Sequence, residues 1–182
     1  MSPNELPVSP GGFDADALYA ALDARRLAEG LSWTGVANQL WQLSAELNDV
    51  RRDHPIAPST LTNVPKRHDT TCQHALFMLR WLGAAPEDFI ASPHPATVGV
   101  PLSEVDSAHR LRWSLVRLYT VLDTSRTRRG ATWELAAGRL SCSANQLTGL
   151  RTAKYATGMR LAMRICQSLG RPAADFVHVS TW

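Results

Sequence analysis

The sequence predicts an all-α protein made of two related helical domains in tandem. Three observations carry that prediction. LYAALDARRLAEGLSW, starting at Leu18, returns as LYTVLDTSRTRRGATW at Leu118, and nine of the twenty-three positions in 18–40 and 118–140 are identical. Apolar residues recur at helical spacing in both copies, and no stretch reads as the period-two alternation of a half-buried strand. Both copies also end alike, LRWLGAAPEDFI beside ICQSLGRPAADFV, an apolar helix running into a glycine and then an acidic-aromatic pair.

Taken in order, residues 1–12 (MSPNELPVSPGG) are polar and rich in Pro and Gly, which predicts a flexible arm. Residues 13–90 form the first domain. Val36, Leu40, Leu43, Leu47 and Val50 recur at i, i+4, i+7, i+11 and i+14, so its second helix is expected to run unbroken to about Asp49, before Pro55 stops it. The match to the second copy resumes only at IAPSTLTNV (56–64) against CSANQLTGL (142–150), so the first copy carries fourteen inserted residues, about 21 Å of extra helix. Leu43, Leu47 and Val50 would then project past a small core and need an interface, either the other repeat or a second protomer. Ala57 stands where a capping Ser is expected. ASPHPATVGVPL (91–102), with three prolines, reads as a linker.

Residues 103–182 form the second domain. Leu111, Leu115, Leu118 and Leu122 make one stripe on a first helix that Gly130 ends. Thr132 caps a second, with Leu135, Ala136 and Leu140 inward. After Ser141 and Cys142, a capping box of Ser143 and Gln146 opens a third helix through Leu150. A fourth turns Leu161, Ala162, Ile165 and Leu169 inward and stops at Gly170, where a left-handed cap suits glycine. Pro172 fits the first turn of a short fifth.

Composition narrows the functional classes. At 45% hydrophobic and 19% charged, the 182 residues can bury a core, yet none of the sequence approaches a membrane span or an apolar signal core, which predicts a soluble cytoplasmic protein. Cys72, Cys142 and Cys166 include no CxxC pair and read as reduced thiols. His68, Cys72 and His74 lack a fourth ligand at a usual spacing, so neither metal nor cofactor is expected. No glycine-rich phosphate loop, nucleophile motif or paired carboxylates accompany the six histidines, which argues against an enzyme. The basic residues are 17 Arg and only 2 Lys, a bias that hints at GC-rich coding. The net charge of +3 hides an asymmetry: residues 1–99 hold 7 basic and 11 acidic residues, net −4, and residues 100–182 hold 12 and 5, net +7. Clustered positive charge on one domain is the footprint of a polyanion partner.

Two short helices joined by a tight turn are the plan of a helix-turn-helix, whose second helix offers its N-terminal side chains to the DNA major groove. GATWELAAGRLSCSANQLTGL in the second copy, and GLSWTGVANQL followed by IAPSTLTNV in the first, resemble the Xre/Cro/C1-like DNA-binding domain, whose signature is roughly GLTQEELAxxLGVSxSTISRIExG. The resemblance covers nearly all of both halves. It implies two lambda-repressor-like five-helix domains, the first with an extended second helix. It also implies a transcriptional regulator, most of the family being repressors and regulators, with double-stranded DNA as partner in a nucleoid-associated setting; tandem, Trp-bearing variants look typical of high-GC bacteria. Carried over by residue, Ala144, Asn145, Gln146, Thr148 and Gly149 would form the reading face of the second copy, since Asn and Gln can pair with adenine and Thr can touch a thymine methyl. Arg151, Lys154 and Tyr155 would meet phosphate, with Arg126, Arg128 and Arg129 extending the track. Trp33 and Trp133 replace the family's usual backbone-contacting Gln; an indole N–H can donate to phosphate, but packing on the neighbouring helix is the stronger expectation. In the first copy Ser59, Thr60, Thr62 and Asn63 would read bases, with Lys66 and Arg67 on phosphate, against an acidic background that weakens binding. The rival reading is a protein-interaction or antitoxin-like module that keeps the fold without reading bases.

Overall fold

The structure is a computed structural model that describes residues 12–152 and 156–181. It is mostly helical. In the first half, α1 (Ala15–Ala28) starts at Asp14, whose carboxylate accepts from the Ala17 N–H at 2.8 Å, and it buries Leu18 and Leu22. α2 (Trp33–Gln42) starts at Ser32 and buries Val36, Ala37 and Leu40. The expected unbroken run to Asp49 does not occur. The chain leaves the helix at Ser44 (φ −126°, ψ 41°) and restarts as α3 (Ala45–Arg51). The break has a cause outside the helix: the Arg80 guanidinium takes the Leu43 carbonyl at 2.6 Å, and the buried Ser44 hydroxyl donates to the His109 carbonyl at 2.8 Å. The first bond takes the Leu43 carbonyl out of the i→i−4 ladder, and the Leu47 N–H that would have met it donates to the Ser107 carbonyl instead.

A single apolar face was expected of Leu43, Leu47 and Val50. Instead Leu47 is buried, Leu43 packs at the edge of the core, and Val50 stays 84% exposed on the far side of the restarted helix. The start of the second half closes over α3, where the Leu47 N–H donates to the Ser107 carbonyl. The insertion is thus docked on the same chain. α4 (Pro58–Thr62) and α5 (Val64–Arg67) follow, then α6 (Cys72–Leu82), capped by Thr71 and closed by Gly83 at φ 67°. A 3₁₀ turn, Pro86–Phe89, ends the unit.

The linker is engaged rather than bare. Thr97, in a 3₁₀ turn at Pro95–Thr97, is buried, and its hydroxyl receives the Gln167 amide at 3.2 Å, while the same amide's oxygen accepts from the His94 N–H.

The second half departs from all-α in one respect: β1 (Arg110–Trp113) pairs antiparallel with β2 (Val177–Ser180), in the register Arg110 with Ser180 and Trp113 with Val177. Leu111 therefore belongs to a strand, and the helical stripe begins only at Leu115 with α7 (Leu115–Arg128). Both Leu111 and Arg110 are buried: Leu111 lies beside Leu76 and Phe77 of α6, and Arg110 reaches over Trp41. α8 (Trp133–Arg139), α9 (Ala144–Gly149) and α10 (Met159–Leu169) then follow their expected caps, Thr132, the Ser143–Gln146 box and Gly170 at φ 61°. Leu135 was expected inward but is 50% exposed; Ala137 and Leu140 form the buried side of α8. The short fifth helix is a single 3₁₀ turn, Ala173–Phe176.

One continuous cluster of buried residues, from Phe13 and Leu18 to Ala173 and Phe176, draws on both halves. The repeat extends to its edges. The Phe13–Ile90 bridge of the first half matches the Trp113–Val177 pair of the second, and the Asp14 N–H to Phe89 carbonyl bond matches Ser114 to Phe176.

Candidate nucleic-acid interface

α8 and α9 are joined by a tight turn built from satisfied backbone groups. The Thr132 hydroxyl accepts from the Leu135 N–H at 3.2 Å and fixes the start of α8. At its end, Ser141 adopts φ 51°, a left-handed conformation that reverses the chain, and the carbonyls it strands are met by Arg164 from α10, at 2.8 Å to Leu140 and 3.0 Å to Ser141. Ser143 then opens α9: its hydroxyl accepts from the Gln146 N–H at 3.2 Å, and the Gln146 side-chain oxygen accepts from the Ser143 N–H at 2.8 Å. Leu140, Leu147 and Leu150 are buried and seat the turn on the core.

Seating those leucines turns Asn145 and Gln146 outward, both exposed, with Thr148 and Gly149 half-buried beside them. Gln146 is part of the capping box as well as of the exposed face, whereas among the described residues no hydrogen-bond partner holds the Asn145 side chain. Arg151, in the 3₁₀ turn after α9, is exposed, as are Arg128 and Arg129 at the end of α7. Lys154 and Tyr155 lie outside the described residues. Arg139, at the end of α8, is exposed beside the turn and was not singled out from sequence.

Arg126 behaves differently from its two neighbours. Its guanidinium pairs with Asp123, donates to the Ala131 carbonyl at 2.7 Å and lies 4.6 Å over the Trp133 ring. Trp133 in turn stacks on Tyr119 at 5.4 Å and 18°. The first half repeats the cluster: Arg26 pairs with Asp23, reaches the Leu31 carbonyl at 2.9 Å and covers Trp33, which stacks on Tyr19 at 5.1 Å. Both tryptophans pack on the neighbouring helix, and each clamps the first helix of its unit to the second.

In the first half α4 begins at Ala57 with no side-chain cap, Pro58 at its first position removing one N–H that would need a partner. Leu61 is buried; Ser59 is exposed, and Thr60, Thr62 and Asn63 are half-buried. Lys66 and Arg67 are exposed on α5. His68 follows at φ 49° with its ring nitrogen 2.9 Å from Asp16. The insertion separates this unit's second and third helices, and α3 fills the place of the tight turn.

Three perturbed groups sit between or beside the units. Desolvation opposes ionisation of Asp53, but the Arg110 hydrogen bond and charge, helped by Arg51, outweigh it and hold the carboxyl below its ordinary range. Burial pushes Glu87 up, against the Ala173 N–H that donates to it. Burial likewise raises the Cys142 thiol in the α8–α9 turn, with Arg164 opposing. Among the described residues no helix is long and apolar enough to cross a membrane.

No family model matches the chain, and comparison with curated proteins and with solved structures finds no match.

Proposed function

We propose that the chain is a sequence-specific double-stranded DNA-binding regulator of transcription, with α8 and α9 acting as a helix-turn-helix and the second half supplying most of the affinity. The observation that carries this reading is the presentation of Asn145 and Gln146, both exposed, at the first turn of α9, whose start the Ser143 box fixes, with exposed Arg128, Arg129, Arg139 and Arg151 on the neighbouring segments. Amide side chains at that place suit base edges, and guanidinium groups suit the flanking phosphates. The first half contributes less on this reading, because its net charge is −4 and its α4 is uncapped.

The test is duplex binding against salt. A protein neutralising several phosphates loses affinity linearly in log salt, by about 0.9 per phosphate. Arg151→Ala should lower that slope by about one and weaken all sequences alike, while Asn145→Ala should cost about 1–3 kcal/mol on the preferred site only. Asn145 is a cleaner probe than Gln146, whose removal also opens the capping box. Equal affinity for every duplex, unchanged by Asn145→Ala, would favour the protein-interaction module instead.

A further inference from the structure

We infer that a single chain reads one imperfect inverted repeat, its two halves acting as a built-in two-fold pair; this rests on the DNA reading above. From the fourth helices onward, equivalent residues of the two halves lie 87 positions apart: Thr71 and Gly158, which cap α6 and α10, then Gly83 and Gly170, which close them. The caps meet. The Cys72 N–H donates to the Thr157 carbonyl at 2.9 Å, and the Met159 N–H donates to the Thr70 carbonyl at 2.7 Å. Moving Cys72 forward and Thr157 back by 87 residues, which exchanges the halves, gives the other bond. A contact in which residue i meets j and j's equivalent meets i's is isologous, the mark of a two-fold relation, and a head-to-tail arrangement does not produce it.

A second contact joins equivalent elements. The closing 3₁₀ turns, Pro86–Phe89 and Ala173–Phe176, are also equivalent, and they meet through the Ala173 N–H and the buried Glu87 carboxylate at 2.7 Å. The units therefore touch at both ends of α6 and α10, reciprocally and through equivalent residues at the starts, and by a one-way bond between equivalent turns at the ends; the two-fold inferred from the starts runs between these helices. α4 ends nine residues before Thr71, and α9 ends nine residues before Gly158. Both reading helices thus lead into the starts of α6 and α10 by connections of nearly equal length, which differ by one residue when Ser59 is matched with Asn145. A two-fold protein matches the local dyad of a duplex, placing its reading helices on half-sites of opposite orientation about 10 bp apart. The half-sites differ, because Ser59 and Thr60 stand where the second half has Asn145 and Gln146.

The experiment selects binding sites from random duplexes with the full chain and weighs the complex by native mass spectrometry. The expected product is two unequal half-sites, inverted, at one fixed spacing, bound by one chain. Inserting 5 bp between them turns the second half-site to the opposite face of the duplex and should lower affinity by about 100-fold, to that of an isolated half-site. Direct repeats, two chains per site, or indifference to the insertion would overturn the inference while leaving the DNA reading intact. Failure to enrich any sequence would reject the DNA reading itself, and this one with it.

Discussion

Replacing Arg110 by methionine tests whether the fourteen inserted residues weld the two halves together. Arg110 projects from β1, 5% exposed, into the pocket behind α3: it pairs with Asp53 at 2.6 Å, donates to the Asn48 side-chain oxygen, and lies 5.2 Å over Trp41 and 5.9 Å over Phe77. Breaking a buried ion pair by removing one partner costs about 3–5 kcal/mol. Asp53 keeps 29% of its side chain in solvent and can rehydrate, so the lower end applies. Arg110 Nε has no hydrogen-bond partner among the described residues, a standing cost of about 1 kcal/mol that methionine removes. The net expectation is a loss of about 2 kcal/mol and, for a chain of this length, a Tm lower by about 4–8 °C. Thermal and urea melts followed by circular dichroism measure it, with the exposed Arg129→Met as the control expected to stay within about 0.5 kcal/mol. Amide exchange should quicken first in α3. The sign of the pH dependence is fixed too: a depressed carboxyl stabilises the fold above its ordinary value of 3.8 and loses that contribution as pH falls through the folded value, so the gap between wild type and Asp53→Asn closes only in strong acid. An Arg110→Met melt that overlays the Arg129→Met melt would refute the welding argument.

Two further expectations concern Glu87 and Ser143. Burial raises Glu87, so the native state binds its proton more tightly than the unfolded chain, and stability falls as pH rises from the ordinary value of 4.5 through the folded one. Glu87→Gln should flatten urea midpoints across that window, and a slope that persists in the variant would assign it to another group. Ser143→Ala removes the hydroxyl that caps α9 and should cost about 1 kcal/mol in chemical melts; no change would mean that α9 is held by Leu147 and Leu150 alone.

Much of the second half was legible because its signals are local. Thr132, Ser143 with Gln146, Gly130 and Gly170 act within four residues of themselves, and each does what its residue type dictates. The break at Ser44 was not legible, since the apolar spacing from Val36 to Leu47 continues through it. Its cause lies in Arg80 and in the His109 carbonyl, 36 and 65 residues away. The strands were missed because Arg-Leu-Arg-Trp and Val-His-Val-Ser alternate for only four residues each, too briefly to stand out beside helices of fourteen. At the site, charge alone did not separate Arg126 from Arg128 and Arg129. The repeat held the signal: Tyr, Asp, Arg and Trp stand at 19, 23, 26 and 33 and again at 119, 123, 126 and 133. An arginine kept in both an acidic and a basic copy, always with its Asp and Trp, serves the unit's packing.

The two-fold contact also explains how the halves could diverge while remaining joined. Its central bonds are backbone to backbone, so they place few demands on side chains at the caps. The side chains there solve the same problem differently. Thr71 caps α6 with its own hydroxyl, whereas Gly158 has none, and the free N–H of Arg160 in α10 is met at 3.1 Å by Asp69 from across the axis. That cross-cap explains the glycine: a Cβ at position 158 would stand 2.2 Å from the Asp69 carboxylate, which is already held by the Thr70 N–H at 2.8 Å. The residue equivalent to Asp69 in the second half is Ala156, which cannot cap, so the exchange runs one way. A symmetric backbone contact with an asymmetric set of caps, clamped on one side by Arg80 and Arg110, ties the two units together while leaving the sequences of α4 and α9 free to differ.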